Sequence, residues 1–216
     1  MNNPEFWKFF ETDAYPNLGH RQESLKYMFE YLDRLARPVF VVETGCVRNA
    51  GRWVEEGQST VLFDRFVSQL PGSVMHSVDV DPQATALCRG LVGSSVQLHT
   101  GDSVPFLRAL ARDPPHGFRY VDVLYLDSFD IDFANPHASA LHHMKELLAI
   151  STLIGPQTLV VVDDSPLEAN YILSSRNLTF LSKPVVSGKA KYVAAYAEAI
   201  GLAPVFTGYQ AGWLGF

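Results

Sequence analysis

Residues 121–127, VDVLYLD, form an apolar run closed by an acid, and residues 159–164, LVVVDD, repeat the pattern. Runs this apolar belong to strands buried on both faces, and such strands occur in parallel sheets covered by helices. The acids then stand at C-terminal strand ends, the edge at which open α/β sheets bind ligands, because the following helices begin there with their positive poles. Asp127, Asp163 and Asp164 gathered at that edge repel one another unless a proton or a cation neutralises them. Hard divalent cations take oxygen ligands of this kind, so a bound cation is the first expectation.

Composition narrows the partner. The chain has 216 residues, 47% of them hydrophobic, and a net charge of −6, which suits one packed domain. Without clustered Lys and Arg, sequence-independent attraction to nucleic acid or anionic lipid is not expected. A neutral or cationic small molecule is the easier partner. No apolar run approaches the ~20 residues that span a bilayer, and the opening MNNP lacks the basic start and apolar stretch of a signal peptide. The expectation is a soluble, cytoplasmic protein without a membrane partner. Cys46 and Cys88 are too few for a disulfide scaffold or a closed zinc site.

Taken in order, residues 1–37 read as a helical N-terminal extension before a domain over 38–216. Leu25, Met28, Phe29, Leu32 and Leu35 recur at helical spacing, and FWKFF at 6–10 is rich in aromatics. Packing over the sheet, closing a pocket and holding a second copy of the chain as a homo-oligomer all remain open for this segment. VFVVE at 39–43 is the first strand, Thr44 and Gly45 turn out of it, and a helix begins near Ser59 or Thr60, either of which can cap it. A strand at 73–79 ends in Asp79, and Asp81 followed by Pro82 gives an N-cap and a first-turn proline. Another strand at 96–99, a turn at 101–103, a helix over 104–112 and the 121–127 strand follow. A polar loop carries Asp130 and Asp132, and a helix runs through Leu141, Met144 and Leu148. After the next strand comes a less regular region to Gly188, where Lys189 and Lys191 read as a solvated pair. Then come a helix over 192–200 and a hairpin of 203–207 with 211–216. This alternation predicts an α/β fold: a doubly wound, Rossmann-like sheet, mostly parallel with a C-terminal antiparallel hairpin, and helices on both faces.

Across 39–216 the order of glycines and acids resembles that of the class I S-adenosylmethionine-dependent methyltransferases. The match lies in Glu43, Thr44 and Gly45 at the first strand, Asp79 at the second, Asp102 and Ser103 after the third, Asp127 after the fourth, and Asp163 and Asp164 after the fifth. The resemblance implies that the first turn lies against the methionine part of S-adenosylmethionine, that Asp79 accepts hydrogen bonds from ribose hydroxyls and that the third turn borders adenine. The implied cofactor-binding set is Glu43, Thr44, Gly45, Ser59, Thr60, Asp79, Val80, Asp102, Ser103 and Asp127. A carboxylate suits a vicinal diol, and acids near a sulfonium stabilise its charge.

Asp127, Asp163 and Asp164 further resemble the metal set of the metal-dependent O-methyltransferases, of the catechol type and the antibiotic-sugar type. That likeness implies magnesium on these three acids, chelating two neighbouring oxygens of a sugar-like or aromatic diol. The catechol type carries a basic residue where this chain has Asp130, so Asp130 is the candidate base, with His143 next. A further departure is the first loop: glycine is sparse in it, and residues 46–57 form a long stretch in which Arg48 or Trp53 can serve as a lid.

Plainer roles stay open. Glu43 can simply end a strand, Asp79 can serve the helix at Asp81, and Asp163 with Asp164 can cap the turn before Pro166. Asp130 and Asp132 can solvate their loop. A nicotinamide-dependent oxidoreductase would want Gly-x-Gly-x-x-Gly after the first strand, which is missing. A metal-dependent hydrolase or hydroxylase, or a cofactor-binding protein without transfer activity, are the remaining alternatives.

Overall fold

Alternate residues of the apolar strands face opposite ways, and helices cover both sides. In the computed structural model, which describes residues 2–132, 134–169, 171–173, 178–180 and 182–216, these strands are β1 (Phe40–Thr44), β2 (Val74–Asp79), β3 (Val96–Thr100), β4 (Val123–Leu126) and β5 (Leu159–Val162). Short strands β6 (Leu167–Glu168), β7 (Tyr171–Leu173), β8 (Leu178–Phe180) and β9 (Val185–Val186) pair two by two outside the main sheet, and β10 (Ala211–Leu214) returns to it. The main sheet has the order β10-β5-β4-β1-β2-β3. Its first five strands run parallel, and β10 lies antiparallel to β5. This is a doubly wound, Rossmann-like α/β sheet.

The expected C-terminal hairpin is only half present. Residues 203–207 make one antiparallel bridge, Phe206 with Gly212, and no strand. Pro204 has no N–H to give a ladder, and the Phe206 ring turns inward to pack on Tyr27, with centroids 5.4 Å apart.

Period-two alternation sorts the core into two layers. Val41, Val123, Tyr125 and Val161 face α1 (Pro4–Phe9), α2 (Gln22–Leu35) and α4 (Ser59–Val67), which follows the single turn α3 (Trp53–Glu56). Phe40, Val42, Leu124, Leu126, Val160 and Val162 face α6 (Ser103–Arg112), α7 (His137–Ala149) and α8 (Lys191–Ala199). Helix α5 (Pro82–Arg89) begins as expected, with Asp81 accepting a hydrogen bond from the Gln83 N–H. Neither Ser59 nor Thr60 caps α4. Gln58 stands at the cap position with φ +52° and spends its amide on the Asn49 carbonyl and the Gly51 N–H, while the Ser59 and Thr60 hydroxyls are committed to Glu43 and the Val47 N–H.

The aromatic N-terminal segment is part of the core. Asn3 caps α1 and also donates to the Phe66 carbonyl, seating Phe6 against Phe29 and Phe66, Phe10 against Phe29, and Trp7 edge-on to Phe6 and Phe10. Among the described residues, no helix is long and apolar enough to cross a membrane. Phe6 is 2% exposed at the centre of this cluster. Phe6→Ala should therefore cost about 3–5 kcal/mol, the usual range for a buried phenylalanine. Urea unfolding checks this, and a cost below about 1 kcal/mol would mean that the arm packs loosely.

Candidate functional site

Strand order reverses between β1 and β4, and a cavity of about 940 Å³ opens there, at the C-terminal ends of the strands. Such a crevice is where open α/β sheets bind ligands. Gly45 makes it possible. Its φ is +81°, and a Cβ at this position would lie 2.5 Å from the Asp127 carbonyl oxygen, so only glycine lets the loops after β1 and β4 close on each other. Asp79 ties the next loops together, its two oxygens accepting from the N–H groups of Cys46 and Asp81 at 3.0 and 2.8 Å. Asp102 caps α6 through the Val104 N–H.

Of the residues expected to hold a cofactor, Gly45, Ser59, Asp79, Val80, Asp102, Ser103 and Asp127 line this cavity. Glu43, Thr44 and Thr60 do not; all three are fully buried behind the wall. Glu43 accepts hydrogen bonds from Ser59 and Ser77 at 2.7 and 2.6 Å, and Thr60 accepts one from the Val47 N–H. They shape the loop rather than touch what lies in it. Burial pushes the Glu43 pKa up to about 7, against the hydrogen bonds from Ser77 and Ser59 that pull it down.

At the far end the three aspartates come together, but with cations of the protein among them. Arg21 Nε donates to both oxygens of Asp163 at 3.1 and 2.9 Å, Nη1 donates to the Val54 carbonyl, and the guanidinium lies over the Tyr209 ring. Lys189 Nζ bridges Asp127 Oδ1 at 2.6 Å and Asp164 Oδ2 at 3.0 Å, while the Tyr209 hydroxyl donates to Asp164 Oδ1. Burial works against both cations, and the carboxylates outweigh it, Asp163 foremost for Arg21 and Asp127 for Lys189, so both stay protonated. For Asp127, burial holds the pKa above the usual carboxylate range, against the pull of Lys189. With the ammonium at 2.6 Å and 23% of the side chain open to solvent, the geometry supports the ion pair. The donor set therefore does not fit the expected magnesium: Asp163 is fully buried on Arg21, and a cation on Asp127 and Asp164 would have to displace Lys189. Lys189 is 1% exposed and far from the solvated pair expected.

Asp130 stands on the cavity rim with 74% of its side chain exposed, paired to Arg48 at 2.9 Å. Arg48 also reaches Glu56, so the long loop closes through Arg48. Trp53 instead packs beside Phe9, with centroids 6.4 Å apart. His143 does not reach the cavity. It is fully buried, held by the Ser139 carbonyl, and burial pushes its pKa down to about 4. Its neighbour His142 is the one on the wall, with Nε2 3.0 Å from Ser103 Oγ and 3.4 Å from Glu146 Oε1. One nitrogen faces both groups, so the trio is no relay of the hydrolase kind, in which the two partners sit on different nitrogens. Arg21, Tyr209 and His142 are the site residues that sequence reasoning missed. Only an unpaired acid cluster, demanding countercharge, signals that such partners exist.

No protein-family model matches the sequence, and no curated protein matches it. Solved structures that resemble it loosely include the following three. Human methyltransferase-like protein 13 in complex with SAH is 12% identical, with 98% of this chain and 81% of that chain covered and a TM-score of 0.43. The DhpI–SAH complex is 12% identical, with 98% and 91% covered and a TM-score of 0.42. A SAM-dependent methyltransferase from Neisseria gonorrhoeae is 16% identical, with 92% and 72% covered and a TM-score of 0.43. At these scores the fold rests on strand order and register.

Glu43 yields a pH test. Its folded pKa near 7 lies above the unfolded 4.5, so its contribution is fully present below pH 4.5 and is lost as pH rises through 7. The gap corresponds to roughly 3 kcal/mol. Glu43→Gln, which cannot ionise, should gain stability relative to the parent by up to that amount between pH 4.5 and 8 in parallel urea titrations. A difference flat across that range would place Glu43 in a wetter environment.

Proposed function

We propose that this chain is an S-adenosylmethionine-dependent methyltransferase that acts on a hydroxyl of a small molecule. The observation that carries the reading is the cavity at the strand-order reversal, with Asp79 and Asp102 on its wall at the ends of β2 and β3. When bound, S-adenosylmethionine supplies a methyl group on a positively charged sulfur. The carboxylates of Asp79 and Asp102, on the cavity wall and outside the Arg21 and Lys189 ion pairs, suit such a cation. The Asp79 oxygens, each with a second lone pair left over from its backbone bond, can accept from a ribose diol. Gly45 lets backbone approach the ligand closely.

The acceptor end of the cavity is bounded by Arg48, Glu56, Phe129, Asp130 and Tyr209. An attacking hydroxyl must lose its proton, and we assign that role to Asp130, whose carboxylate stands on the cavity rim. Arg48 holds Asp130 at the rim and must release it first. Arg48 leaves the first strand and Asp130 the fourth, so the ion pair between these two loops couples acceptor entry to freeing of the base. Nothing in this scheme passes through a metal ion, because the carboxylates that would hold one are committed to Arg21 and Lys189.

Titration calorimetry with S-adenosylmethionine, its demethylated product and a nicotinamide nucleotide tests the assignment. The first two should bind and the third should not; the reverse would overturn the reading. Asp79→Asn should weaken cofactor binding by about 10- to 100-fold, the value of a hydrogen bond to a charged group. With labelled cofactor and a panel of alcohols and phenols, Asp130→Asn should lower turnover by about 10²–10⁴ with cofactor affinity unchanged. Turnover within a few-fold of the parent at every pH would move the base to another group on the wall.

A further inference from the structure

The carboxylate cluster at the ends of β4 and β5 has two buried cations that a metal site would not tolerate. Asp127, Asp163 and Asp164 bring three negative charges. Lys189 and Arg21, 1% and 4% exposed, bring two positive ones. Five of the six carboxylate oxygens already accept from these cations or from Tyr209. Neither cation is a surface side chain folded in by chance. Lys189 sits on a turn, Gly188–Ala190, whose N–H donates to the Asp164 carbonyl at 3.0 Å. Gly188 has φ +62°, and a Cβ there would lie 2.0 Å from that same carbonyl, so the turn can approach only because the residue is glycine. Arg21 is fixed at both ends of its guanidinium, by Asp163 and by the Val54 carbonyl.

We infer that the protein's own cations do here what a divalent ion would do: Lys189 and Arg21 neutralise and position Asp127, Asp163 and Asp164, and the site works without a bound metal. Lys189 is a positioning residue that acts through Asp127 and Asp164, the two of the three acids that line the cavity. The consequence for substrate rests on the methyl-transfer reading. Chelation selects acceptors with two neighbouring oxygens, whereas a site organised by fixed side chains has no such requirement. A lone hydroxyl is then a competent acceptor.

Charge balance supplies the test, and it needs neither cofactor nor acceptor. Removing Lys189 changes the cluster from one net negative charge to two and leaves Asp127 and Asp164 facing each other, which is the arrangement a hard cation seeks. The melting midpoint is read with a chelator and with millimolar magnesium or calcium chloride. The parent should show the same midpoint in both. Lys189→Met should melt several degrees lower in chelator and recover much of the loss with the divalent salt. Lys189→Met combined with Asp127→Asn restores the parent's balance and should not respond. Magnesium stabilisation of the parent, or a Lys189→Met protein indifferent to divalent salt, would overturn the inference. Should Lys189→Met fail to fold, manganese titration of the parent followed by electron paramagnetic resonance decides: one tightly held ion per chain refutes it, and free manganese throughout upholds it. A protein that passes these tests yet binds no S-adenosylmethionine would refute the methyl-transfer reading alone.

Discussion

The ion network joining Arg21 and Lys189 to Asp127, Asp163 and Asp164 ties together parts of the chain that share no local sequence. Arg21 lies in the N-terminal arm, Asp127 and Asp163 follow two neighbouring strands of the sheet, and Lys189 comes from the turn before α8. Burying charges is costly, and removing one member of a buried pair typically costs about 3–5 kcal/mol because its partner is stranded. The network thus specifies more than it stabilises: it sets where the arm crosses the sheet, and hence where the cavity is bounded by Arg21 and Tyr209.

The positions of the strands were legible because burial on both faces leaves a simple mark, consecutive β-branched and aliphatic residues ending at an acid. β4 and β5, buried at every position, carry that mark plainly, whereas β3, an edge strand of sequence VQLHT with partly exposed residues and no terminal acid, was legible only from its place in the alternation of strands and helices. The helix starts were less legible. Ser59 and Thr60 have the chemistry of caps but spend it on Glu43 and the Val47 amide, interactions set by β1 rather than by their own helix. The last hairpin forms with one short arm: Phe206 bridges Gly212 while its ring packs on Tyr27, and Pro204 has no N–H to extend the ladder.

Charge at the site was read correctly in sign and wrongly in partner. Three acids at strand ends do need neutralising, and a cation supplies it, but the cations lie 142 residues before Asp163 and 62 after Asp127. No window of sequence contains both halves of either pair. Lys189, beside Lys191, carries the mark of a solvated face, and only the glycine before it, which permits a turn against Asp164, distinguishes it. His142 and His143 illustrate the same limit at single-residue scale: adjacent on α7, they point apart, and only packing decides which of them meets the cavity.

The central claim is that S-adenosylmethionine occupies the crevice at the strand-order reversal. Hydrogen-exchange mass spectrometry of the protein with and without the cofactor reads this directly, amide by amide. Protection is expected in the loops around residues 45–48, 79–81, 102–104 and 127–131, with the outer faces of α7 and α8 unchanged. Protection confined to other segments, or none at saturating cofactor, would contradict it.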